Sequence, residues 1–487
     1  MSREAPRDLP RVPVPEMIRE VYLIGIGGTG MGSLAGLLAA AGYSVRGSDE
    51  KLYPPMSDQL EALGIPVCEG FSADNLEPAP DLVIVGNVCR PENPEAVALW
   101  RRGLPFLSMP EALDRLFLEG RRSAVVAGTH GKTTTTAMLA HLLTASGRDP
   151  SFLVGGVLNG FDTTYHLGQG ADFAIEGDEY DSAFFDKGPK FLHYAPDVAA
   201  ITSLEFDHAD IYDDVEQIAE RFTRFAALLP EDGALYVWSG AERGLAAARD
   251  ARCRVLSYGL GDGDDLAARV LDSGADGTRF EVRRGGGAVA EARLVLGGEY
   301  NVLNALAALG LAEALDLSLE EAAPLLASFE GVKRRQELVG EVDGIIVIDD
   351  FAHHPTAVRE TIAAVRATRL SGAGRLWALY EPRSNTARRS VHQRAYAEAF
   401  DGAELVRLAR PFNPHGLPAD ELLDVDRLVW DLGKRGLDAA AHDTVEAIVA
   451  DVSSRVQPGD VLLVMSNGGF DGIHDKLIAA LERQPSG

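Results

Sequence analysis

The sequence has few cysteines and no long apolar run, and both shortages exclude classes of protein. Its three cysteines, Cys68, Cys89 and Cys253, are scattered without metal-binding spacing. They are typical of reduced thiols in a cytosolic protein rather than of a disulfide framework. No apolar stretch approaches the ~18–20 residues of a membrane span, and residues 1–19 lack the apolar core of a signal peptide. We therefore expect a soluble, cytoplasmic protein with a flexible arm at residues 1–19.

Basic residues are also scarce. The 487 residues include 46 Lys and Arg against 73 Asp and Glu, a formal net charge of −27. A general nucleic-acid binder needs basic stripes to neutralise phosphates, and adsorption to anionic membranes needs a similar excess of positive charge. The composition therefore argues against nucleic acid and membranes as partners and leaves the oligomeric state open. A phosphate-bearing ligand would need local basic clusters, such as residues 333–335 and 388–389.

The chain is long enough for about three domains of ordinary size. Apolar strands alternate with helical patterns throughout, which indicates parallel sheets covered by helices on both faces. We predict an α/β protein with three domains. They are a Rossmann-like N-terminal domain at residues 20–118, a P-loop ATPase-like central domain at residues 119–334 and a Rossmann-like C-terminal domain at residues 335–487.

Residues 128–136, Gly-Thr-His-Gly-Lys-Thr-Thr-Thr-Thr, are the most informative stretch, between a short apolar strand and a helical pattern. In that context backbone N–H groups and a helix N-terminus bind phosphates. Two residues rather than four separate Gly128 from Gly131, so the loop is tighter than a standard P-loop. We predict a nucleoside triphosphate site in which Lys132 binds the β- and γ-phosphates and Thr133 binds Mg²⁺.

A second glycine-rich turn lies at residues 25–32, between an apolar strand and a helix of small residues. The pattern Gly-x-Gly-x-x-Gly in a βαβ unit, with Asp49 about 20 residues on, is typical of a turn that binds a diphosphate at a helix N-terminus. Asp49 or Ser48 would then hydrogen-bond a ribose or base. An NAD-dependent oxidoreductase is the default interpretation of such a turn, but we favour a diphosphate binder over a dehydrogenase.

Three polar clusters follow predicted strands. Glu176-Gly-Asp-Glu179 and Glu205-Phe-Asp-His208 follow two strands of the central region, at carboxyl ends where α/β proteins bind ligands. Carboxylate oxygens suit Mg²⁺, so both clusters are candidate metal ligands, with His208 supported by its neighbours. Residues 349–355 close the first strand of the third region. They could contact a nucleotide or substrate, and they also suit a helix N-terminus with Pro355 in its first turn.

In this order, the motifs resemble the Mur ligase family of ATP-dependent, amide-forming enzymes of bacterial cell-wall synthesis. The resemblance runs from about Val21 to the end of the chain. Its anchors are residues 128–134, 176–179, Asp207-His208, Asn301 with Asn304, Arg334-Arg335 and residues 350–355. The turn at residues 25–32 with Ser48 and Asp49 resembles the branch that uses UDP-N-acetylmuramate, which implies that this turn holds the UDP part and no nicotinamide.

Within that branch, several stretches are more similar to members that attach a recycled tripeptide, L-Ala-γ-D-Glu-meso-diaminopimelate, than to members that add L-alanine. They are residues 53–57, 179–187 and 381–386, supported by 465–469. The resemblance therefore implies a ligase that joins UDP-N-acetylmuramate to this tripeptide through an acyl phosphate, in peptidoglycan recycling. The alternatives are an L-alanine-adding ligase and, from another class, a non-catalytic UDP-sugar sensor that switches on ATP.

The resemblance also implies site residues. The ATP set is Gly128, Thr129, His130, Gly131, Lys132, Thr133, Thr134, Asn301, Asn304, Arg335 and Asp350. The UDP-sugar set is Gly25, Gly27, Gly28, Thr29, Gly30, Met31, Ser48, Asp49 and Asn87. Among the metal ligands, Thr133 and Glu176 hold one Mg²⁺ and His208 helps to hold a second metal ion. The catalytic candidates are Lys132, His208 and His353, the two histidines as candidate bases. The acceptor set is Arg383, Ser384 and Asn385, with Arg383 binding a carboxylate bidentately.

Two positions depart from the family pattern. Tyr300 replaces a histidine before Asn301, which changes a polar contact near the adenine. Phe222 stands 14 residues after His208, where some members carry a carbamylated lysine. A second metal ion would therefore have to be held differently.

Overall fold

Three sheets, one after another along the chain, organise the protein. The computed structural model describes residues 12–53, 56–209, 211–411, 417–418 and 420–483. Most of the predicted arm, residues 1–11, lies outside the described residues, as do Pro54 and Pro55 of the stretch at 53–57. Within the described ranges, no helix combines the length and apolar character needed to cross a membrane.

The first sheet is parallel, with strand order β3-β2-β1-β4-β5. Its strands are β1 (Glu20–Ile24), β2 (Ser44–Asp49), β3 (Val67–Glu69), β4 (Leu82–Val85) and β5 (Phe106–Ser108). Its helices are α1 (Thr29–Ala40), α2 (Met56–Ala62), α3 (Pro94–Arg102) and α4 (Met109–Leu113). The apolar residues of β1 and β4 are buried because helices cover both faces of the sheet. The turn after β1 therefore lies at the carboxyl end of the central strand, where α1 begins.

The second sheet has ten strands in the order β17-β16-β15-β14-β13-β12-β6-β9-β7-β8. Its strands are β6 (Arg122–Ala127), β7 (Ser151–Leu158), β8 (Thr163–His166), β9 (Asp172–Gly177), β12 (Val198–Ile201), β13 (Ala234–Trp238), β14 (Arg254–Gly259), β15 (Leu266–Gly274), β16 (Gly277–Arg284) and β17 (Gly287–Leu294), while β10 (Asp181–Ala183) and β11 (Asp186–Pro189) form a separate hairpin. The helices are α5 (Lys132–Ala145), α6 (Val215–Ala226), α7 (Glu242–Ala247), α8 (Glu299–Ala314) and α9 (Leu319–Leu325).

The edges of this sheet differ from the expectation of parallel pairing throughout. β15, β16 and β17 pair antiparallel, and so do β7 and β8. The physical reason is the short connections, because two residues can join antiparallel strands but a parallel pair needs a long crossover. Gly285 and Gly286 form such a connection, both with positive φ, as a tight hairpin turn requires.

The third sheet has the order β18-β19-β23-β20-β21-β22, with β18 antiparallel to β19 and the other pairs parallel. Its strands are β18 (Glu337–Val342), β19 (Ile345–Asp350), β20 (Leu376–Tyr380), β21 (Leu405–Ala409), β22 (Asp438–His442) and β23 (Val461–Met465). Its helices are α10 (Pro355–Arg369), α11 (Gln393–Ala399), α12 (Val425–Lys434), α13 (Val445–Arg455) and α14 (Ile473–Glu482). Short helical turns span Ala73–Leu76, Asp114–Leu118, Lys190–His193, Leu326–Ser328, Ser390–His392 and Phe470–Gly472. The domain boundaries after residues 118 and 334 remain a proposal.

Candidate active site

The loop between β6 and α5 contains the predicted phosphate-binding residues. The backbone of Gly131 has φ +83°, in the left-handed region that favours glycine, and Gly131 caps α5 without a side chain. The helix begins at Lys132, five residues before the apolar pattern at 137. Four threonines continue it although they lack apolar periodicity; for example, Thr136 Oγ1 donates to the Lys132 carbonyl at 2.9 Å. Backbone N–H groups at this helix end therefore suit an anion.

Lys132 is held by carboxylates behind this loop. Its Nζ donates to the Gly128 carbonyl at 2.6 Å and to Glu179 Oε2 at 2.8 Å. Burial alone would lower the pKa of the Lys132 ammonium, but Glu179 and Asp178 outweigh burial and raise it. Lys132 is therefore a fixed positive charge at the helix end.

His208 binds the other side of Glu179. Its Nε2 lies 3.0 Å from Glu179 Oε1, so one carboxylate bridges the ammonium and the imidazole. Burial would lower the pKa of His208, but the bond to Glu179 and the charges of Glu179 and Asp207 raise it to about 9. The imidazole is accordingly protonated at neutral pH, and it must lose that proton before it can bind a metal ion.

Thr133 and Glu176 form a separate pair. Thr133 Oγ1 donates to Glu176 Oε2 at 3.1 Å, while Glu176 Oε1 accepts from the Gly155 N–H. The sequence pattern predicted that Glu176 would follow the strand. It lies inside β9 instead, because it pairs with Val126 of β6. Adjacent oxygen ligands of octahedral Mg²⁺ lie about 3 Å apart, given bonds of about 2.0–2.1 Å. This hydroxyl and carboxylate therefore fit a magnesium ion, and the role of His208 at a second metal ion remains a prediction.

Asn301 and Asn304 lie on the first turns of α8, which packs on α5. Asn304 Oδ1 accepts from Thr135 Oγ1 at 3.3 Å, and Asn304 Nδ2 donates to Asn301 Oδ1 at 3.2 Å. Asn301 Nδ2 in turn donates to the Gly297 carbonyl at 2.8 Å. Both amides are buried, so these bonds brace the loop against α8. Their predicted contact with adenine remains a prediction.

Tyr300 has a partner that the sequence did not reveal. Its hydroxyl accepts a hydrogen bond from Gln336 Nε2, which also donates to the Gly297 carbonyl at 3.1 Å. Gln336 follows a basic run and carries no motif, so no sequence pattern singled it out. Phe222 is fully buried and stacks edge-on to Phe191 at 5.3 Å, which makes it a core residue.

Arg335 and Asp350 approach the loop from the third sheet. Arg335 Nη2 lies 3.4 Å from Thr133 Oγ1, and the guanidinium stacks over the Phe351 ring at 4.8 Å. Asp350 accepts from the Gln336 and Ala352 backbone N–H groups at 2.9 and 2.8 Å. Its buried carboxylate thus shapes the turn that aims Arg335. Direct contact of Arg335 or Asp350 with ATP remains a prediction.

His353 lies at the same boundary between central and C-terminal domains. Its carbonyl accepts from the Tyr380 and Tyr396 hydroxyls at 2.8 and 2.6 Å, which fixes the backbone. Burial lowers the pKa of His353 against the opposing charge of Asp207, so its imidazole is neutral at pH 7. His354, next in the chain, caps α10, which begins at Pro355 as predicted.

The turn after β1 is closed by the end of β2. The Gly25 and Ile26 N–H groups donate to the Ser48 carbonyl, and the Gly27 N–H donates to Asp49 Oδ2 at 2.8 Å. The Ser48 hydroxyl donates instead to buried Glu95 at 2.5 Å, a residue without a motif. Asp49 is thus placed at the turn, while Ser48 is directed inward. Gly28 caps α1, Thr29 to Met31 form its first residues, and Asn87 is exposed just after β4.

The predicted acceptor loop follows β20. Arg383 keeps 43% of its side chain exposed, with Nη1 3.5 Å from Glu381 Oε1. Ser384 Oγ accepts from the Ala387 N–H at 3.0 Å, and Asn385 Oδ1 accepts from Arg388 Nη2 at 2.5 Å. Ser384 and Asn385 therefore stabilise the loop, and Arg383 reaches the surface.

The chain resembles proteins of one family over almost its whole length. It is 38% identical over 468 residues to the UDP-N-acetylmuramate–L-alanyl-γ-D-glutamyl-meso-2,6-diaminoheptandioate ligase of Escherichia coli, covering 95% of this chain and 98% of that protein. The chain belongs to the Mur ligase family. Three models of this family match it in turn: Mur ligase family, catalytic domain at residues 20–121, Mur ligase middle domain at 126–312, and Mur ligase, glutamate ligase domain at 334–468.

Two further relatives bear on its class. It is 39% identical over 399 residues to the UDP-N-acetylmuramate–L-alanine ligase of Rubrobacter xylanophilus, covering 82% of this chain and 86% of that protein. The crystal structure of a murein peptide ligase from Psychrobacter arcticus has a TM-score of 0.72 and 34% identity, covering 96% of this chain and 100% of that chain. The predicted family and three-domain α/β architecture are confirmed. This Mur ligase is an ATP-dependent enzyme that forms amide bonds, which displaces the oxidoreductase and sensor alternatives.

Proposed function

We propose that this Mur ligase joins UDP-N-acetylmuramate to L-Ala-γ-D-Glu-meso-diaminopimelate, in peptidoglycan recycling. The observation that carries the proposal is near full-length similarity to the relatives from Escherichia coli and Psychrobacter arcticus, whose names state a peptide acceptor. The position of the predicted acceptor loop supports it. Thr386 Oγ1, in the loop that carries the exposed Arg383, accepts a hydrogen bond from the Ala209 N–H at 3.3 Å, which brings this loop next to His208. We place the reaction in the cytoplasm, where ATP and UDP-sugars are made.

The chemistry starts from a poor electrophile. A carboxylate oxygen of the sugar's lactyl group attacks the γ-phosphorus of ATP, forming an acyl phosphate and releasing ADP. The peptide amine then attacks the acyl carbon, and inorganic phosphate leaves. The buried charge of Lys132 offsets the negative charge gathered in the first step. A Mg²⁺ ion held by Thr133 and Glu176 would further neutralise phosphate oxygens.

The two candidate bases differ in charge. The amine must be deprotonated before it attacks, and a base must itself be unprotonated at working pH. His353 is neutral because burial lowers its pKa, whereas His208 is held protonated beside Glu179. We therefore propose His353 as the general base and His208 as a partner that keeps Glu179 ionised.

The acceptor is tested by measuring phosphate release with UDP-N-acetylmuramate, Mg-ATP and either the tripeptide or L-alanine. We expect kcat/KM to favour the tripeptide by at least about 30-fold, since one charge-assisted pair contributes about 2 kcal/mol. Arg383→Met should remove most of that preference, and Arg394→Met, a matched exposed arginine, should retain it. A strong preference for free L-alanine would overturn the proposal.

L-alanine is the second candidate acceptor because of the Rubrobacter xylanophilus relative. That similarity has slightly higher identity but leaves a larger part of both chains uncovered. The same comparison of acceptors decides between the two, because both ligases share every earlier step. Equal phosphate release with both acceptors would indicate a broad site without a dedicated carboxylate contact.

A further inference from the structure

Two histidines and a glutamate from different elements converge beside the phosphate-binding loop. His130 belongs to the loop, Glu205 follows β12, and His354 caps α10 in the C-terminal domain. His130 Nε2 lies 3.5 Å from Glu205 Oε2, and His354 Nδ1 lies 3.7 Å from the same oxygen. One ligand atom from each residue lies within 4.8 Å of the other two. The cluster therefore bridges two domains.

These separations suit a small tetrahedral metal ion. Zinc bonds of about 2.0–2.2 Å to nitrogen and oxygen place neighbouring ligand atoms about 3.3–3.5 Å apart. The two measured separations are within a few tenths of an ångström of that value. Two imidazoles with one carboxylate form a zinc-type donor set, unlike the all-oxygen sets that Mg²⁺ prefers.

Hydrogen bonds around the cluster orient its members. His354 Nε2 lies 3.3 Å from the Phe206 carbonyl, so it carries the proton and leaves the Nδ1 lone pair facing Glu205. Thr356 Oγ1 donates to Glu205 Oε2 at 2.7 Å. Metal-binding histidines and carboxylates are oriented by such outer contacts. The long bond from the Thr356 N–H to His354 Nδ1, at 3.3 Å, is the contact that a metal ion would replace.

Two buried ring nitrogens point to a missing partner. His130 Nε2 and His392 Nε2 are inaccessible to solvent and make no hydrogen bond in the part of the chain that the structure describes; the 3.5 Å approach of His130 Nε2 to Glu205 Oε2 is an ion-pair contact without hydrogen-bond geometry. His392 stacks edge-on to His354 at 4.6 Å, and both line a cavity of about 220 Å³ together with Glu205. Buried polar atoms are nearly always partnered in native proteins, and a metal ion would satisfy His130.

We propose that His130, Glu205 and His354 bind a divalent transition metal ion of the zinc type, with His392 or water as the fourth ligand. The ion would tie the phosphate-binding loop to the start of α10 and so hold the central and C-terminal domains together. The site shares no ligand with the Thr133–Glu176 pair. It does not depend on which acceptor the enzyme uses.

Cobalt(II) is the probe, because tetrahedral Co²⁺ absorbs visible light and reports its ligands. The full-length protein, stripped with a chelator, is titrated with Co²⁺ in excess Mg²⁺, which occupies the all-oxygen site. We expect one tetrahedral Co²⁺ per chain, displaced by Zn²⁺. Glu205→Gln should weaken binding by at least about 100-fold, since even residues that only orient a metal ligand contribute about 10–100-fold.

Matched variants separate this site from its neighbours. Glu398→Gln changes an acid that lines the same cavity outside the cluster, and His166→Ala changes a histidine paired with Asp149. Both should bind Co²⁺ like the wild type. His208→Ala should also retain the tetrahedral spectrum, because His208 belongs to the Lys132–Glu179 group.

Either of two results would overturn the proposal. One is the absence of a tetrahedral Co²⁺ spectrum in the wild type, and the other is stoichiometric binding that survives Glu205→Gln. Glu205→Gln preserves the shape of the side chain and leaves the His354 cap of α10 in place, so a loss of Co²⁺ binding in this variant reports the missing carboxylate rather than an unfolded helix. A metal-dependent rise in Tm in the wild type, absent in Glu205→Gln, is the second readout, because a ligand specific for the native state stabilises it.

Discussion

Lys132, Glu179 and His208 form a row of alternating charge behind the phosphate-binding loop. Glu179 is 3% exposed and accepts from both cations, at 2.8 Å from Lys132 and 3.0 Å from His208. With the imidazole protonated, Glu179 is flanked by two cations, and the nearby carboxylate of Asp207 balances the extra positive charge. Because the row is buried, each of these pairs interacts more strongly than it would in water, which fixes the position of the Lys132 ammonium.

Replacement of Lys132 should remove phosphate activation. Lys132→Met deletes the ammonium and leaves Glu179 buried beside a single cation. We expect kcat for phosphate release to fall about 10²–10³-fold, the range for loss of one charge-stabilising donor. Lys434→Met, on the surface of α12 over Trp430, is the control. Activity within tenfold of the wild type would contradict this role for Lys132.

Replacement of Glu179 should shift the titration of His208. In the wild type the pKa of His208 is raised to about 9 against the effect of burial. Glu179→Gln removes the negative charge that most strongly opposes the effect of burial on His208, so we expect the pKa of His208 to fall below its ordinary value of about 6.5. NMR titration of the imidazole measures the change directly. An unchanged pKa would mean that Asp207, not Glu179, charges the ring.

The same pair makes stability depend on pH. The pKa of His208 is raised in the folded state, so its stabilisation is complete below the unfolded value of about 6.5 and is lost as pH rises through about 9. The difference in Tm between wild type and His208→Gln should therefore be largest near pH 6 and small above pH 9. Thermal melts at several pH values test this, and a constant difference would contradict it.

Helix α1 and strand β8 join the first two domains. Ser33 Oγ lies 2.6 Å from Thr164 Oγ1, and a Cβ at Gly36 would lie 2.0 Å from Tyr165 Cζ. Glycine at position 36 thus permits a close approach of helix to strand.

A larger side chain at Gly36 should loosen this contact. Gly36→Leu forces Tyr165 to move or the helix to retreat, and such overpacking costs about 1–3 kcal/mol. We expect a lower Tm and faster proteolysis between α4 and β6. Gly433→Ala in α12, where a Cβ meets nothing within 4 Å, is the control. Unchanged proteolysis in Gly36→Leu would show that Tyr165 moves aside without loosening the contact.

The central and C-terminal domains are joined by polar contacts at the site. Thr356→Val removes the hydrogen bond from the Thr356 hydroxyl to Glu205. Because Glu205 is one-third exposed, water can partly replace this bond, and we expect the free energy of unfolding to fall by about 1 kcal/mol. Hydrogen exchange at the start of α10, measured with chelator present, should become several-fold faster. Thr223→Val, in an exposed turn of α6, should leave that exchange unchanged.

Local patterns predicted the elements of the fold well and their pairing less well. The apolar runs at residues 234–238, 376–380 and 461–465 coincide with β13, β20 and β23, because a strand buried on both faces is visible as consecutive apolar residues. The antiparallel edges were not predicted, since strand direction depends on the path of the connection. Glu176 and Asp350 were expected just after strands and lie within them, because neighbouring strands extend the pairing.

The candidate site divides in the same way. The phosphate-binding loop and the turn after β1 are visible in the sequence, because each is formed by the backbone N–H groups of a few consecutive residues. Those motifs, in order along the chain, were sufficient to indicate the family. The partners of the side chains were not encoded locally: Glu179 and His208 are 29 positions apart, and Tyr300 and Gln336 are 36 apart. The His130–Glu205–His354 cluster needs three elements from two domains. Such contacts depend on the order of strands in the sheets and on the packing of the domains. The tertiary structure therefore decides which distant side chains are buried together, and burial with a partner decides which of them are charged.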